Sequence, residues 1–385
     1  MNEIEQTMSR DFLRIAGVFG LFLLFTCSAF AMVSDGDLEA MHLRAPAWAS
    51  NVVYWESSVL LDSEDGSPPR ARLARRAEEI LAVRAANRSH VFDPGKDVRL
   101  EESGSSLLLQ APQTVPVVRK SELYKAPEAP QSYRHRVGNE NQWLLYAPGR
   151  WFHDRNIEIT YRAAGNPEDS QVVSVRGELP KTRKKLSAGE PLKLGVSGDS
   201  ISTGLDASHT ANANPDQGGY IELVAAQLEH DFPGKVQVAN RSVPGWSVAN
   251  GLEDADKLLE SQQDLVIIAY GMNDVGRRDP QWFHDRLQEL IQKVQKRCPG
   301  AEIILVSPML GNGEWIHTPA EMFSKYSEVM QSLVGPGVAL ADVTAVWTWM
   351  NRHKHFLDMT GNGLNHPNDF GHRLYAQCIL QLLPR

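Results

Sequence analysis

Cysteine is scarce. The 385 residues hold three, Cys27, Cys298 and Cys378, none in a C-x-x-C or metal-ligand spacing, which excludes a disulfide-stapled scaffold. Cys298 and Cys378 are left either to pair in an oxidising compartment or to stay as buried thiols. Excess positive charge is absent too. With 39 Lys and Arg against 47 Asp and Glu, the net charge is −8, which argues against a nucleic-acid partner. Internal repeats and low-complexity tracts are missing. An apolar fraction of 42% and a charged fraction of 22% exclude extensive disorder. The length is long for one domain and comfortable for two.

Near the N-terminus, Arg10 and Arg14 precede the apolar run "IAGVFGLFLLF", followed by "TCSAFAM". The run is shorter than the roughly 20 residues of a spanning helix. Ala29-Phe30-Ala31 fits a small-x-small cleavage pattern. These features predict a signal peptide over residues 1–31 and a secreted, periplasmic or extracellular protein with no membrane span after cleavage. Lipidation at Cys27 is disfavoured by the bulk of Thr26 before it.

Two regions follow with different periods. Over 35–188, strand-length runs such as "NVVYWESSVLL", "SSLLLQAP", "NQWLLYAP" and "NIEITYRAAG" alternate with clusters of Pro, Gly, Asp and Asn, predicting an all-β sandwich or jelly-roll domain. Only "ARLARRAEEILA" there has a helical period. The charged joint "ELPKTRKKLSAGEP" has a linker's composition. Over 191–385, continuously apolar runs ("LKLGVSG", "VQVANRSV", "DLVIIAYG", "AEIILVSPM", "VALADVT") alternate with helical stretches. That pattern predicts an α/β domain of the flavodoxin-like type, a doubly wound parallel sheet covered on both faces.

Ligands of open parallel sheets bind outside the carboxyl ends of the strands. Gly198-Asp199-Ser200 follows the first strand, Gly245 in "NRSVPGWS" the second, and Gly271-Met272-Asn273-Asp274 the third. His366 in "GNGLNHPND" comes before the last helix. Each alone reads as a cap, a turn or a surface residue. Together, at one end of one sheet, they suit acyl transfer, which needs a nucleophile, a base and donors for an oxyanion. Ser200 supplies the hydroxyl and, at a helix start, one N–H. Gly245 supplies a second N–H, Asn273 an amide, and His366 the base. Asp199 and Asp274 order their loops. His372 is read as a packing or surface residue, and His353 and His355 as a solvated face, so no metal site is expected. A phosphate loop is excluded because "SGDSISTG" lacks the G-K-[ST] ending.

These four blocks resemble the motifs of the SGNH (GDSL-type) hydrolase family, over roughly the last half of the chain. The family is named for a Ser, a Gly, an Asn and a His, which correspond to Ser200, Gly245, Asn273 and His366. The resemblance implies ester hydrolysis through a serine acyl-enzyme, without metal or cofactor. It also implies an Asp three residues before the His, where this chain has Gly363. Asp358 and Asp369 are the nearby candidates to orient His366, and a backbone carbonyl fixing the Nδ1 proton of a Ser-His dyad is the alternative. Asp358 is preferred because Asp369 also fits the N-cap of the last helix.

Family members with an N-terminal β domain suggest an acetylated carbohydrate substrate, with Trp246 and Trp315 as stacking surfaces for sugar. Packing is the competing role for both tryptophans. A lipid or thioester hydrolase and a degenerate, non-catalytic carbohydrate-binding protein are the alternatives.

Overall fold

The strand Leu192–Gly198 is buried at every position except Lys193, and Leu265–Ala269, Glu302–Val306 and Val338–Ala341 are buried throughout. Strands apolar on both faces belong inside a parallel sheet between helical layers. The computed structural model, which describes residues 35–62, 66–110, 116–165, 172 and 175–385, has them there. The signal segment expected over 1–31, with Cys27, lies outside the described residues.

Val236–Asn240, only partly buried, forms one edge. It is followed in space by Leu192–Gly198, Leu265–Ala269, Glu302–Val306 and Val338–Ala341, all parallel. By order in the chain this is 2-1-3-4-5. The antiparallel pair Val175–Arg176 closes the other edge. The order reverses at the first strand, so a crevice opens between the ends of the first and third strands.

The crossover helices start where the chain carries caps. Asp279 accepts the Trp282 N–H (3.0 Å) before Pro280–Arg297. Asp342 accepts the Ala345 N–H (3.1 Å) before Val343–Met350. Val248–Leu259 packs on Pro280–Arg297, and Tyr220–Asp231 packs on Asp369–Leu380. No helix among the described residues is long and apolar enough to cross a membrane.

The N-terminal region is β-rich. Eight of its strands join in one sheet, in which Val52–Leu61 pairs with Asn156–Ala163 along most of its length and with Arg70–Arg72 at Leu61. A separate three-stranded sheet is built from Tyr124–Lys125, Ser132–Tyr133 and Trp143–Leu145. The helical period of "ARLARRAEEILA" is overridden: Arg70–Arg72 and Ala77–Ala85 are strands. The joint read as a linker is also ordered. Pro180–Ser187 is a helix whose Lys181 and Thr182 N–H groups donate to the buried Glu302 carboxylate at 3.0 and 2.7 Å. The carboxylate sits where free N–H groups and the helix dipole favour it.

The β-rich region and the parallel sheet contribute to one hydrophobic core, which includes Val53, Ile157 and Tyr161 beside Phe370 and Leu374. Two buried charge clusters cross the same boundary. Glu158 meets Arg84, Arg88 and Arg373, and Arg373 also donates to Gln217 Oε1 (2.7 Å) and the Trp55 carbonyl (2.7 Å). Burial pushes the Glu158 carboxyl up, and the three guanidiniums more than reverse it, so it lies below its ordinary value. Lys354 Nζ lies 2.6 Å from Glu56, both fully buried. Cys298 and Cys378 are unpaired and buried.

Candidate active site

Gly198 ends the first strand in a tight place, where a Cβ would meet Ser202 Oγ at 2.3 Å and the Ala269 carbonyl at 3.1 Å. The chain then folds into successive hydrogen-bonded turns, and the first regular helix begins only at Tyr220. Ser200 therefore sits in a turn rather than at the helix start expected from the sequence. Asp199 Oδ1 accepts the Ile201 N–H at 2.9 Å and organises this turn. Burial pushes the Asp199 carboxyl up to about 6.

Ser200 Oγ donates to His366 Nε2 at 2.8 Å. On the other side of the ring, His366 Nδ1 donates to Asp206 Oδ2 at 2.7 Å. Asp206, missed in the sequence, comes round because the loop doubles back on itself. The Leu205 N–H donates to the Ser200 carbonyl (3.2 Å), and Gly204 and Asp206 both take positive φ, 76° and 62°. Asp tolerates that region better than most side chains. Asp206 Oδ1 accepts the Gly149 N–H (3.0 Å), and His153 Nε2 donates to the Asp206 carbonyl (3.1 Å). Burial works to raise the Asp206 carboxyl, but the His366 hydrogen bond and charge, with the Gly149 N–H, hold it below its ordinary value.

Asp358 is elsewhere, which corrects the expectation from the sequence. Its Oδ1 accepts the Val59 N–H (2.9 Å) and the Ser58 hydroxyl (3.1 Å), and its Oδ2 accepts the His355 N–H (2.8 Å). It ties the 355–358 turn to a strand of the N-terminal sheet. Asp369 is also occupied away from His366, accepting the Ser208 N–H at 2.7 Å. The cap of the last helix is Asn368, whose Oδ1 takes the Gly371 N–H (3.0 Å).

Gly363 explains why no acid stands three residues before His366. It has φ 92°, and a Cβ there would lie 2.5 Å from the Leu145 carbonyl. The strand Trp143–Leu145 occupies the space that a side chain would need.

The Gly245 turn and the Asn273 loop meet: Asn273 Nδ2 donates to the Trp246 carbonyl at 2.9 Å. The Val243 N–H donates to the Gly198 carbonyl (3.2 Å), which fastens the Gly245 turn beside the Ser200 strand. Among the described residues, neither the Ser200 nor the Gly245 N–H donates to a protein acceptor. Asp274 braces the Asn273 loop, accepting from Val248 N–H (3.1 Å) and Gly271 N–H (3.0 Å). Burial, with Asp199 nearby, pushes the Asp274 carboxyl up to about 7.

Trp246 is half-buried against the core, and Trp315 packs with Leu144 and Leu364, with its ring edge-on to Tyr133. His372 is fully buried, and burial pushes its imidazole down to about 4. His355 is not on a solvated face but caps the Phe356–Asp358 turn, its Nδ1 accepting the Leu357 N–H at 3.1 Å. Among the described residues no group of His, Cys, Asp and Glu could hold a metal ion.

Residues 196–374 match the model of the GDSL-like Lipase/Acylhydrolase family. The match covers a little under half of the chain and takes in Ser200, Gly245, Asn273 and His366. No curated protein matches it by sequence comparison.

Among solved structures, the chain is similar to a two-domain esterase (CEX) active on acetylated mannans, with 22% identity and a TM-score of 0.44. That match covers 54% of this chain and 55% of the other, so it spans about half of that esterase's length. A catalytic mutant of Axe2, an acetylxylan esterase from Geobacillus stearothermophilus, is 20% identical with a TM-score of 0.41, covering 50% of this chain and 94% of that one. A lipase/acylhydrolase from Enterococcus faecalis is 20% identical with a TM-score of 0.38, covering 49% and 94%.

Proposed function

We propose that this protein is a secreted serine esterase that removes short acyl groups, acetyl foremost, from carbohydrate. The observation that carries the catalytic part is the hydrogen-bonded series Ser200–His366–Asp206, at 2.8 and 2.7 Å. On this reading Ser200 Oγ attacks the ester carbonyl while His366 Nε2 takes its proton. Asp206 holds the Nδ1 proton in place and stabilises the imidazolium that forms. The oxyanion is received by the N–H groups of Ser200 and Gly245 and by the Asn273 amide. His366 then protonates the departing sugar oxygen; water, deprotonated by the same imidazole, attacks the acyl carbon, and the imidazolium returns the proton to Ser200 Oγ as the acid leaves. The strand order 2-1-3-4-5 supports the flavodoxin-like reading of the sheet. The β-rich residues 35–188 are an accessory region to the hydrolase residues 191–385.

The carbohydrate part is supported by what surrounds His366. Its loop's buried Leu364 packs with the nearly buried Trp315, and the half-buried Tyr124, Tyr133 and Tyr146 lie against them. Partly exposed tyrosine faces, each with a polar hydroxyl, suit a sugar ring better than an acyl chain. With Ser200 nearly buried, a short acyl group fits more readily than a long one. The test is hydrolysis of p-nitrophenyl esters of increasing acyl length, and acetate release from acetylated mannan and xylan, by the wild type and Ser200→Ala. Turnover that is greatest for acetyl and absent in the variant is expected. A preference for long chains would move the reading to a lipid hydrolase, and equal rates in both proteins would remove Ser200 from it.

A further inference from the structure

A cavity of about 540 Å³ opens between the strand Arg70–Arg72 with its following turn and the end of the helix Val343–Met350. Arg72, Arg75, Arg76, Arg352, His353 and Trp349 line it. None of these residues takes part in the chemistry described above.

Many arginines of this acidic chain are neutralised by carboxylates. Arg84, Arg88 and Arg373 converge on Glu158, Arg241 pairs with Asp254, and Arg44 pairs with Asp231. Among the described residues, none of Arg72, Arg75, Arg76 and Arg352 forms an ion pair with a carboxylate. Arg75 Nη1 donates to the Ser50 carbonyl (2.5 Å) and Arg76 Nε to the Ser103 carbonyl (2.9 Å). Those contacts aim two guanidiniums without neutralising them.

The strand that carries Arg72 is itself anchored, because its carbonyl accepts from buried Lys354 Nζ at 2.8 Å. Burial and the charge of Arg352 push the His353 imidazole down, so it adds a polar edge rather than another cation. Trp349 stands 5.1 Å from the His353 ring and is half-buried, leaving part of the indole to the cavity.

Guanidiniums recognise planar or tetrahedral oxyanions through paired N–H donors. An indole face takes the apolar side of a sugar ring. The volume lies within the roughly 300–1,000 Å³ of organic ligand sites and is far more than an inorganic anion would fill. We propose that this cavity binds an anionic sugar unit, a carboxylate- or phosphate-bearing residue of a glycan, at a site separate from Ser200. The glycan part rests on the carbohydrate reading above; the anion part stands on the arginines alone.

The test is calorimetric titration of the full chain with a short uronate oligosaccharide, a sugar phosphate, and the neutral oligosaccharide of the same length. One of the two anionic ligands is expected to bind, and which one names the source of the charge. Arg72→Ala/Arg352→Ala should weaken it about tenfold or more, as loss of charge-assisted hydrogen bonds does, and added salt should weaken it further. Hydrolysis of p-nitrophenyl acetate by the same variant should be unchanged, which also reports that it folds. Equal binding of the neutral sugar, wild-type binding by the variant, or no binding of either anion would overturn the site. Anion binding without ester turnover would leave the site standing and remove the esterase reading, and turnover without binding would do the reverse.

Discussion

Asp206 and His366 lie 160 residues apart in the chain and 2.7 Å apart in the fold, carboxylate to Nδ1. The acid comes from the loop of the proposed nucleophile, Ser200, rather than from the loop of the proposed base. The reason is steric: the backbone at Gly363 faces the Leu145 carbonyl, and the strand that carries that carbonyl reaches on to Gly149, whose N–H holds Asp206. One segment of the N-terminal region thus blocks one position for the acid and braces another.

Replacing Asp206 by Asn removes the acceptor that fixes the imidazole proton. A loss of about 10⁴ in kcat is expected. Asp358→Asn is the control, and it should cost stability while leaving kcat within a few-fold. Steady-state kinetics and thermal melts on both variants check this. The assignment fails if Asp358→Asn is the catalytically crippled one.

Gly363→Asp places a carboxylate where the family resemblance leads one to look for it, yet activity should fall. The residue must hold φ 92° with a Cβ 2.5 Å from a backbone oxygen, and positive φ alone costs a non-glycine residue about 1–3 kcal/mol. The melting temperature should drop by several degrees. Gly363→Asp/Asp206→Asn should show no more turnover than Asp206→Asn, and a rescue there would refute the steric account.

Stability should fall as pH rises from about 4 to 8 through Asp274, whose carboxyl stands at about 7 in the fold against about 3.9 in an unfolded chain. The folded state keeps its proton where the unfolded state has lost it. This contribution is fully present below the unfolded value and is lost as pH climbs through the folded one. Asp274→Asn keeps one acceptor for the Val248 or Gly271 N–H and removes the titration. Melting temperature against pH should therefore be flatter in the variant, and parallel curves would sink the assignment.

Lys354→Met leaves the Glu56 carboxylate buried without its partner, since the two are 2.6 Å apart and fully buried. Removing one member of such a pair typically costs about 3–5 kcal/mol. Lys354→Met/Glu56→Gln should recover part of the loss. Denaturant unfolding of both variants measures it, and a single variant as stable as wild type would show the pair to be dispensable.

The parallel sheet was legible because strands buried on both faces must be apolar throughout, and the alternation with amphipathic helices leaves few other architectures. The clustering of Ser200, Gly245, Asn273 and His366 followed from the same pattern, since all four lie beyond strand ends or before the last helix. Asp206 was not legible. It sits in "STGLDASHT", where an Asp after a Gly reads as a turn residue, and only the doubled-back loop turns it toward His366. Asp358 was misjudged because closeness in sequence to His366 says nothing about which way a 3-10 turn aims its carboxylate, and here it aims at the backbone of Val59.

The joint before residue 191 was misread for a related reason: charge and proline describe a linker well until a buried carboxylate such as Glu302 is there to hold the helix start. By itself, then, the sequence determined the layers and the end of the sheet where chemistry is possible, because both depend on local periodicity. Which carboxylate faces the histidine, and where four arginines gather without ion-pair partners, depend on contacts between residues tens to hundreds apart. Those only the tertiary structure decided.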